Sequence, residues 1–439
     1  MASISKRHTP CIAAVILLAA GLAGAAGSGK IFVIRDATVH TMGSAGTIPH
    51  ATIVIIDNKI TAVGTSVKAL AVWGSSSIID GRGLEVYPGL INAWSDIGLT
   101  EIPSVPATND STEMGDFNPQ LLAFSAIHPA SEHIPVARVN GITSCLSAPA
   151  GGIVSGQPAL VHLDGWTADE MALLKSAGMA INFPSLESGT RLSPGEGLAP
   201  DTRRTPFTEV KRNYERRVRE LSELFAQARH YEKARTADPN TPGDARLESL
   251  IPIIRGRMPV FLEANSAGDI RNAVEFSKRE NLKAVIRGGR EANRVAELLK
   301  KEGIPVILNS IVRLPARDDD PYDEPFTLPR DLARAGVKFA LSSPGSSNVR
   351  NLPYEAGFAE AYGLAHIDAL RAVTVSPAEI LGVADRIGTI EAGKIADLVV
   401  TDGDILEIRT QVKHLFIAGK NVSLETRQTR LYQKYMARQ

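Results

Sequence analysis

From Gly89 onward the chain repeats one unit, a short apolar strand followed by a stretch of helical character. The strands read "GLINAWSD", "GITSCLS", "GMAINFP", "MPVFLEAN", "LKAVIRGG", "IPVILNS" and "VKFALSS". Parallel strands cannot be joined by a tight turn, so strands alternating with helical segments need right-handed crossovers and predict a parallel sheet covered by helices. Seven such strands, with an eighth nearby, predict an α/β fold built on a closed, TIM-like (β/α)8 barrel. A chain of 439 residues has room for a barrel of ~250 residues and a small companion.

Both chain ends are β-rich. "KIFVIRDATVHT" and "ATIVIIDNKITAVGTS" read as strands, with turn chemistry at Asp57 to Lys59. "RIGTIEAGKIADLVVTDGD" and "VKHLFIAGKNV" return to short strands with glycine turns. The organisation expected is a β-sandwich assembled from residues 27–86 and 386–425, a barrel over 87–385 and a terminal helix over 426–439 that packs on the surface or pairs with a neighbour. Within "SPAEILG", Ser376 is expected to cap a helix, with Pro377 at its first position, Glu379 completing a capping box and Gly382 ending it. A Gly/Pro/Arg-rich run, "SGTRLSPGEGLAPDTRRTP", precedes a long amphipathic helix whose apolar stripe is Tyr214, Val218, Leu221, Phe225 and Ala228.

Lys6, Arg7 and His8 precede the apolar run "CIAAVILLAAGLAGAAG", which is too short for a spanning helix and ends in small residues. Residues 1–26 therefore read as a signal peptide cleaved near Ala23 to Ala26. The expected location is periplasmic or extracellular, with no stable membrane insertion after cleavage. Cys11 lies in that leader, and Cys145 reads as a small core residue on a strand, with no histidine near it in sequence. Basic and acidic residues number 48 each, so the net charge is zero and nothing in the balance draws the chain to nucleic acid.

The run "ALRAVTVSPAEILGVADRIGTIEAGKIADLVVTDGDIL" and the opening "YPGLINAW" resemble the amidohydrolase superfamily, especially its imidazolonepropionase-like branch, over about 30–422. The resemblance implies a (β/α)8 barrel beside a β-sandwich and hydrolysis of non-peptide C–N bonds. It also implies zinc held by His-x-His after the first strand and by histidines after the fifth and sixth. An aspartate after the eighth strand takes a proton from the metal-bound water, and a lysine or glutamate often follows the fourth.

At those positions this chain has Trp94 and Asp96, then Glu263, then Arg287 or Gly288, then Pro344, while "INFP" carries neither lysine nor glutamate. An indole N–H cannot ligate a metal, and an arginine repels one. The expected cofactor is accordingly none, and no metal ligand is assigned. His128, His133 and His162 stand alone and read as structural or exposed.

Three functions follow from these residues. The first is a non-catalytic binding or assembly subunit, forming homo-oligomers or working beside an active relative. The second is a hydrolase of a cyclic amide or similar small substrate with a rebuilt site, its catalytic residues Asp96 and Glu263 sharing a proton or an oxygen-bound cation. Against it stands a pairing of these carboxylates with Arg287 and backbone N–H groups. The third is an exported small-molecule binder, with Trp94 as a stacking surface and Gly151, Gly152 and Gln157 of "APAGGIVSGQ" near the ligand. The acidic run "RDDDPYDEP", at Arg317 to Pro325, reads as a solvated loop or a cation attractor at the mouth.

Overall fold

The computed structural model describes residues 30–67, 76–187, 206–315 and 317–438. The leader at 1–26 and most of the Gly/Pro/Arg-rich run, 188–205, lie outside them. The first strands are β1 (Ile31–His40), β2 (Thr47–Ile56), β3 (Lys59–Gly64), β4 (Ser76–Asp80) and β5 (Glu85–Pro88). The middle of the chain supplies β6 (Leu90–Ser95), β7 (Ile142–Ser147), β8 (Val154–Gly156), β9 (Ala159–His162), β10 (Ala172–Leu174), β11 (Met179–Asn182), β12 (Val260–Ala264), β13 (Ala284–Gly288), β14 (Val306–Leu308) and β15 (Phe339–Leu341). The last strands are β16 (Leu398–Thr401), β17 (Val412–Ile417) and β18 (Lys420–Val422).

The two chain ends share one eight-stranded sheet in the order β18-β17-β16-β5-β1-β2-β3, with β4 also on β1. The sandwich expected from sequence is thus a single ladder folded over. β1 pairs with β4 through Ile31 to Arg35 and with β5 through Thr38 and Val39, and its register with β2 shifts between these stretches. Asp36, at φ 60°, sits at that break. Such bulges bend a strand, and here the two limbs close on a core that includes Ile34, Val39, Ile55, Leu398 and Phe416. The Phe32 and Phe416 rings meet edge to face at 5.2 Å across the fold. The β2–β3 hairpin turns at Asp57, whose φ of 55° an aspartate tolerates.

All seven strands read from sequence form, and all lie in parallel pairs: β6 with β7, and β11 through β15 in order. The eighth parallel strand and the closed ladder do not form among the described residues. In its place β9 runs antiparallel to β7, and β8 antiparallel to β11. The strands fall into two sheets, β10-β9-β7-β6 and β15-β14-β13-β12-β11-β8. One seam lies between β8 and β9, where the chain crosses at Gln157 and Pro158, and Ala177 N–H donates to Pro158 O at 2.8 Å. The other lies between β15 and β6. There the Asn92 amide donates to Ser343 O and accepts from Ser343 N, each at 2.9 Å.

Packing unites what the ladders leave apart. Ile91, Leu146, Leu160, Ala180, Phe261, Val285, Ile307 and Ala340, each from a different strand of the two sheets, form one buried cluster. Val383 and Ile387 join the same cluster. Burying each large member contributes about 1.5–3 kcal/mol. Glycine precedes β6 at position 89, where a Cβ would lie 2.3 Å from the Thr143 side chain.

The helices are α1 (His133–Arg138), α2 (Ala168–Met171), α3 (Phe207–Ala237), α4 (Ala245–Ile254), α5 (Ala267–Arg279), α6 (Ala296–Glu302), α7 (Glu324–Ala335), α8 (Leu352–Ala361), α9 (His366–Ala372), α10 (Val375–Ile380) and α11 (Arg427–Met436). The long helix α3 buries Leu221, Leu224, Phe225, Ala228 and Tyr231, with Tyr214 and Val218 packed beside them, so its apolar stripe serves its own core. The capping expectation at α10 needs correction. Thr374 is its N-cap, Ser376 lies within the helix, and no side chain caps it. The Thr374 hydroxyl is held by Leu370 O at 2.6 Å, and Glu379 reaches Lys338 at 2.7 Å. Gly382 follows at φ 72°. Among the described residues no helix is long and apolar enough to cross a membrane.

Candidate functional site

The carboxyl ends of adjacent parallel strands are where open and closed α/β folds place their ligands. Here the register puts Asn182 of β11 beside Glu263 of β12, and Glu263 beside Arg287 of β13. Arg287 Nη1 donates to Glu263 Oε2 at 2.6 Å. Its guanidinium carbon lies 4.7 Å from the Trp94 ring centroid, and Trp94 meets Phe261 edge to face at 5.4 Å. The result is a stack of Phe261, Trp94, Arg287 and Glu263. A guanidinium over an indole adds about 0.5–2 kcal/mol of attraction, and the ion pair fixes its orientation.

This arrangement bears on each residue singled out from sequence. Trp94 is only 5% exposed, so it offers no open face for stacking a ligand. Asp96 is not paired with Glu263. Its Oδ1 accepts from Ser346 N at 2.5 Å, and its own N–H donates to Pro344 O at 3.2 Å. The carboxylate thus sits at the start of the helical turn Ser346–Asn351, where negative charge is favourable. Asp96 and Glu263, the pair a rebuilt acid–base site would use, thus each have a different hydrogen-bond partner. Of the two alternatives at the sixth position, Arg287 faces Trp94, and Gly288 has φ 94° with no side chain to offer.

Gly151 and Gly152 turn a tight connection. A Cβ on Gly152 would lie 2.7 Å from Gly115 O, so only glycine fits its φ of 59° without displacement. Their carbonyls face Asn182, whose Nδ2 lies 3.2 Å from Gly151 O and 2.8 Å from Gly152 O. Gln157 is held elsewhere: Nε2 donates to Pro119 O at 2.9 Å, and Oε1 accepts from Ser176 Oγ at 2.6 Å. Asn182 is the mouth residue that sequence reasoning passed over, although a polar side chain ending "INFP" signals it.

The acidic run is anchored at Asp320 and Glu324, while Asp318 and Asp319 are exposed. Asp320 pairs with Arg294 at 2.5 Å, Glu324 lies 3.6 Å from Arg313, and Arg317 donates to Glu291 at 2.7 Å. Hydrogen bonds and arginines hold the Glu291 carboxyl below its usual range despite burial, whereas burial raises that of Glu324.

His162 and His133 have partners of their own. His162 Nε2 meets Asp397 Oδ2 at 2.9 Å, tying β9 to the composite sheet, and His133 Nε2 meets Glu101 O at 2.9 Å. Among the described residues, the group of His and carboxylate side chains close enough to share a metal is Glu360, His366 and Asp404, on α8, α9 and the loop after β16.

A metal at the mouth is not supported by the residues present. Zinc takes nitrogen, sulfur or carboxylate ligands at about 2.0–2.3 Å. The mouth offers an indole N–H, a carboxylate engaged by Ser346, a carboxylate neutralised by Arg287, and a proline. The guanidinium of Arg287 supplies a fixed positive charge beside the one carboxylate that would be needed.

Residues 269–422 match the amidohydrolase family model. The amidohydrolase tasK of Hapsidospora irregularis is 24% identical over 82% of this chain, which spans 38% of that protein's length. The imidazolonepropionase of Sphingopyxis alaskensis is 42% identical over 82 residues, 18% of this chain and 20% of its own. Among solved structures, an amidohydrolase from Thermotoga maritima superposes with a TM-score of 0.75 at 24% identity, covering 89% of this chain and 99% of its own. A prolidase solved with N-methylphosphonate-L-proline gives 0.55 at 18% identity, covering 90% and 100%. The structural likenesses concern the fold. The chain thus carries the amidohydrolase family signature over residues 269–422, within a fold similar to that of an amidohydrolase of known structure.

Proposed function

We propose that this chain uses the amidohydrolase fold, a (β/α)8 barrel with one strand replaced by antiparallel segments, as a non-catalytic binding or assembly subunit outside the cytoplasm. The likeness to amidohydrolases points to hydrolysis of C–N bonds as the ancestral activity. The observation that carries the present reading is the Arg287–Glu263 ion pair laid on Trp94. It occupies the strand ends where hydrolysis needs a metal-activated water, and it sets a fixed positive charge against Glu263, which opposes binding of a cation there. A hydrolase rebuilt on Asp96 and Glu263 has less support, because each carboxylate has a different partner. A partner with intact histidines is the simplest source of catalysis in such an assembly.

The test is metal content and activity measured on protein purified without chelator. Zinc well below one per chain, with no hydrolysis of cyclic amides after zinc is added, is the expected result. About one tightly held zinc per chain at the mouth would overturn the proposal. Purification from the native source is expected to bring down an active relative.

A further inference from the structure

The C-terminal helix α11 is well specified locally and unpartnered laterally. Thr426 is buried and forms a capping box with Thr429, which sets where the helix starts. None of the helix's own residues is buried. Leu431 and Tyr435, with Tyr432 and Met436, lie at i, i+4 spacing and form one exposed apolar stripe. Arg427, Arg430, Lys434 and Arg438 supply four positive charges, and no acid lies between 427 and 438. The acids that Arg430 approaches, Glu132 and Glu425, are both 3.7 Å away.

Elsewhere the same chain has a surface of the opposite character. A groove of about 550 Å³ runs between α8 and the loop at 406–408. Tyr354, Phe358, Leu406 and Ile408 make it apolar, and Glu360 and Glu407 line it too. Phe358 is 43% and Ile408 73% exposed, unusual for side chains of their size. His366 lies 3.1 Å from Glu360 and 3.6 Å from Asp404, holding these two acids beside the groove. Arg409 is the one base next to Ile408 in sequence.

We infer that α11 of one copy docks in this groove of a second copy, its apolar stripe against Phe358 and Ile408 and its basic face toward Glu360, Glu407 and Asp404. This is the helix-in-groove mode, in which spaced anchors fill an apolar trough and charge sets the orientation. A ten-residue helix is only about 15 Å long, too little for a stable contact alone. Reciprocal exchange about a two-fold axis buries two such contacts and closes the assembly as a dimer. The inference does not rest on the chemistry of the mouth, and metal analysis leaves it untouched.

Sedimentation velocity on the full chain, with the exposed-site variants Ile408→Asp and Leu431→Asp checked for folding by circular dichroism, tests it. The full chain is expected to be a dimer at micromolar concentration, and each variant a monomer. A photo-crosslinker placed at position 431, in a mixture of isotopically light and heavy chains, is expected to capture residues 354–361 or 404–408 of the other copy. A monomeric full chain overturns the inference, as does a dimer that Ile408→Asp leaves intact. So does a crosslink from 431 to another α11. Binding to phosphatidylserine vesicles by a chain that stays monomeric in solution would assign α11 to a membrane surface instead.

Discussion

Asn92 of β6 and Ser343, just beyond β15, are joined by two 2.9 Å hydrogen bonds, although the two strands share no ladder. One amide side chain thus does for β6 and β15 what a backbone pair does elsewhere, and Asn92 is fully buried. Asn92→Ala would leave the N–H and C=O of Ser343 without partners, at about 1–3 kcal/mol for each buried group. The expected loss in urea unfolding is about 2–4 kcal/mol. Asn92→Asp should also destabilise, because a carboxylate cannot donate to Ser343 O. A loss under about 0.5 kcal/mol for Asn92→Ala would show that the seam closes by packing alone.

The Arg287–Glu263 pair is partly exposed, so screening reduces its worth below that of a fully buried pair. A double-mutant cycle with Arg287→Leu and Glu263→Leu is expected to give a coupling of about 1–2 kcal/mol. Arg287→Leu alone should be more destabilising than the double change, because it leaves Glu263 unpaired beside Trp94. Equal effects of the single and double changes would mean that solvent already compensates the carboxylate.

A pH dependence follows from Glu355. It is 3% exposed and accepts from Ser310 Oγ at 2.5 Å and from Ile311 N at 2.8 Å, yet burial outweighs these bonds and raises its pKa. The folded chain therefore keeps a proton that the unfolded chain has released. Stability contributed by this group falls as pH rises from the usual glutamate value of about 4.3 to the raised folded value, and stays lower above it. Glu355→Gln keeps an acceptor for the backbone N–H groups and removes this fall. The Tm of Glu355→Gln relative to the unaltered chain is expected to improve between about pH 4.5 and about pH 7. A difference that is the same at both values would contradict the raised pKa.

How much of this was legible beforehand depends on how local its causes are. The seven parallel strands showed in the sequence because burial on both faces writes them as continuous apolar runs. The missing eighth did not, because Gly156 and Pro158 break that region into two short antiparallel pieces whose partners are set by the seam. Trp94, Glu263 and Arg287 could be placed at one end of the strands by register alone. The partner of Asp96 could not, since Ser346 lies 250 residues away on a loop. The partners of Gln157 could not be read for the same reason, since they belong to loops at Pro119 and Ser176. At α10 the helix started at Val375 because Thr374 was already engaged with the preceding helix.

Cys145 supplies the sharpest chemical expectation. It is fully buried on β7, and burial pushes its thiol up to about 12 despite contacts with Ser95 and Asn92 that favour the thiolate. At pH 8 only about one thiol in ten thousand would be ionised even if reagent could reach it, and the thiolate is the nucleophile. In a chain beginning at residue 27, Cys145 is the one cysteine. Such a chain is expected to show no reaction with Ellman's reagent over hours when folded, and one equivalent in urea. Because Cys145 lies on the strand next to β6, its protection also reports on the β6–β7 sheet. Asn92→Ala, by loosening the seam on the far side of β6, should make the thiol react measurably faster without denaturant. Rapid labelling of the unaltered folded chain would mean that β7 opens on its own, and that the β6–β7 sheet is looser than its packing implies.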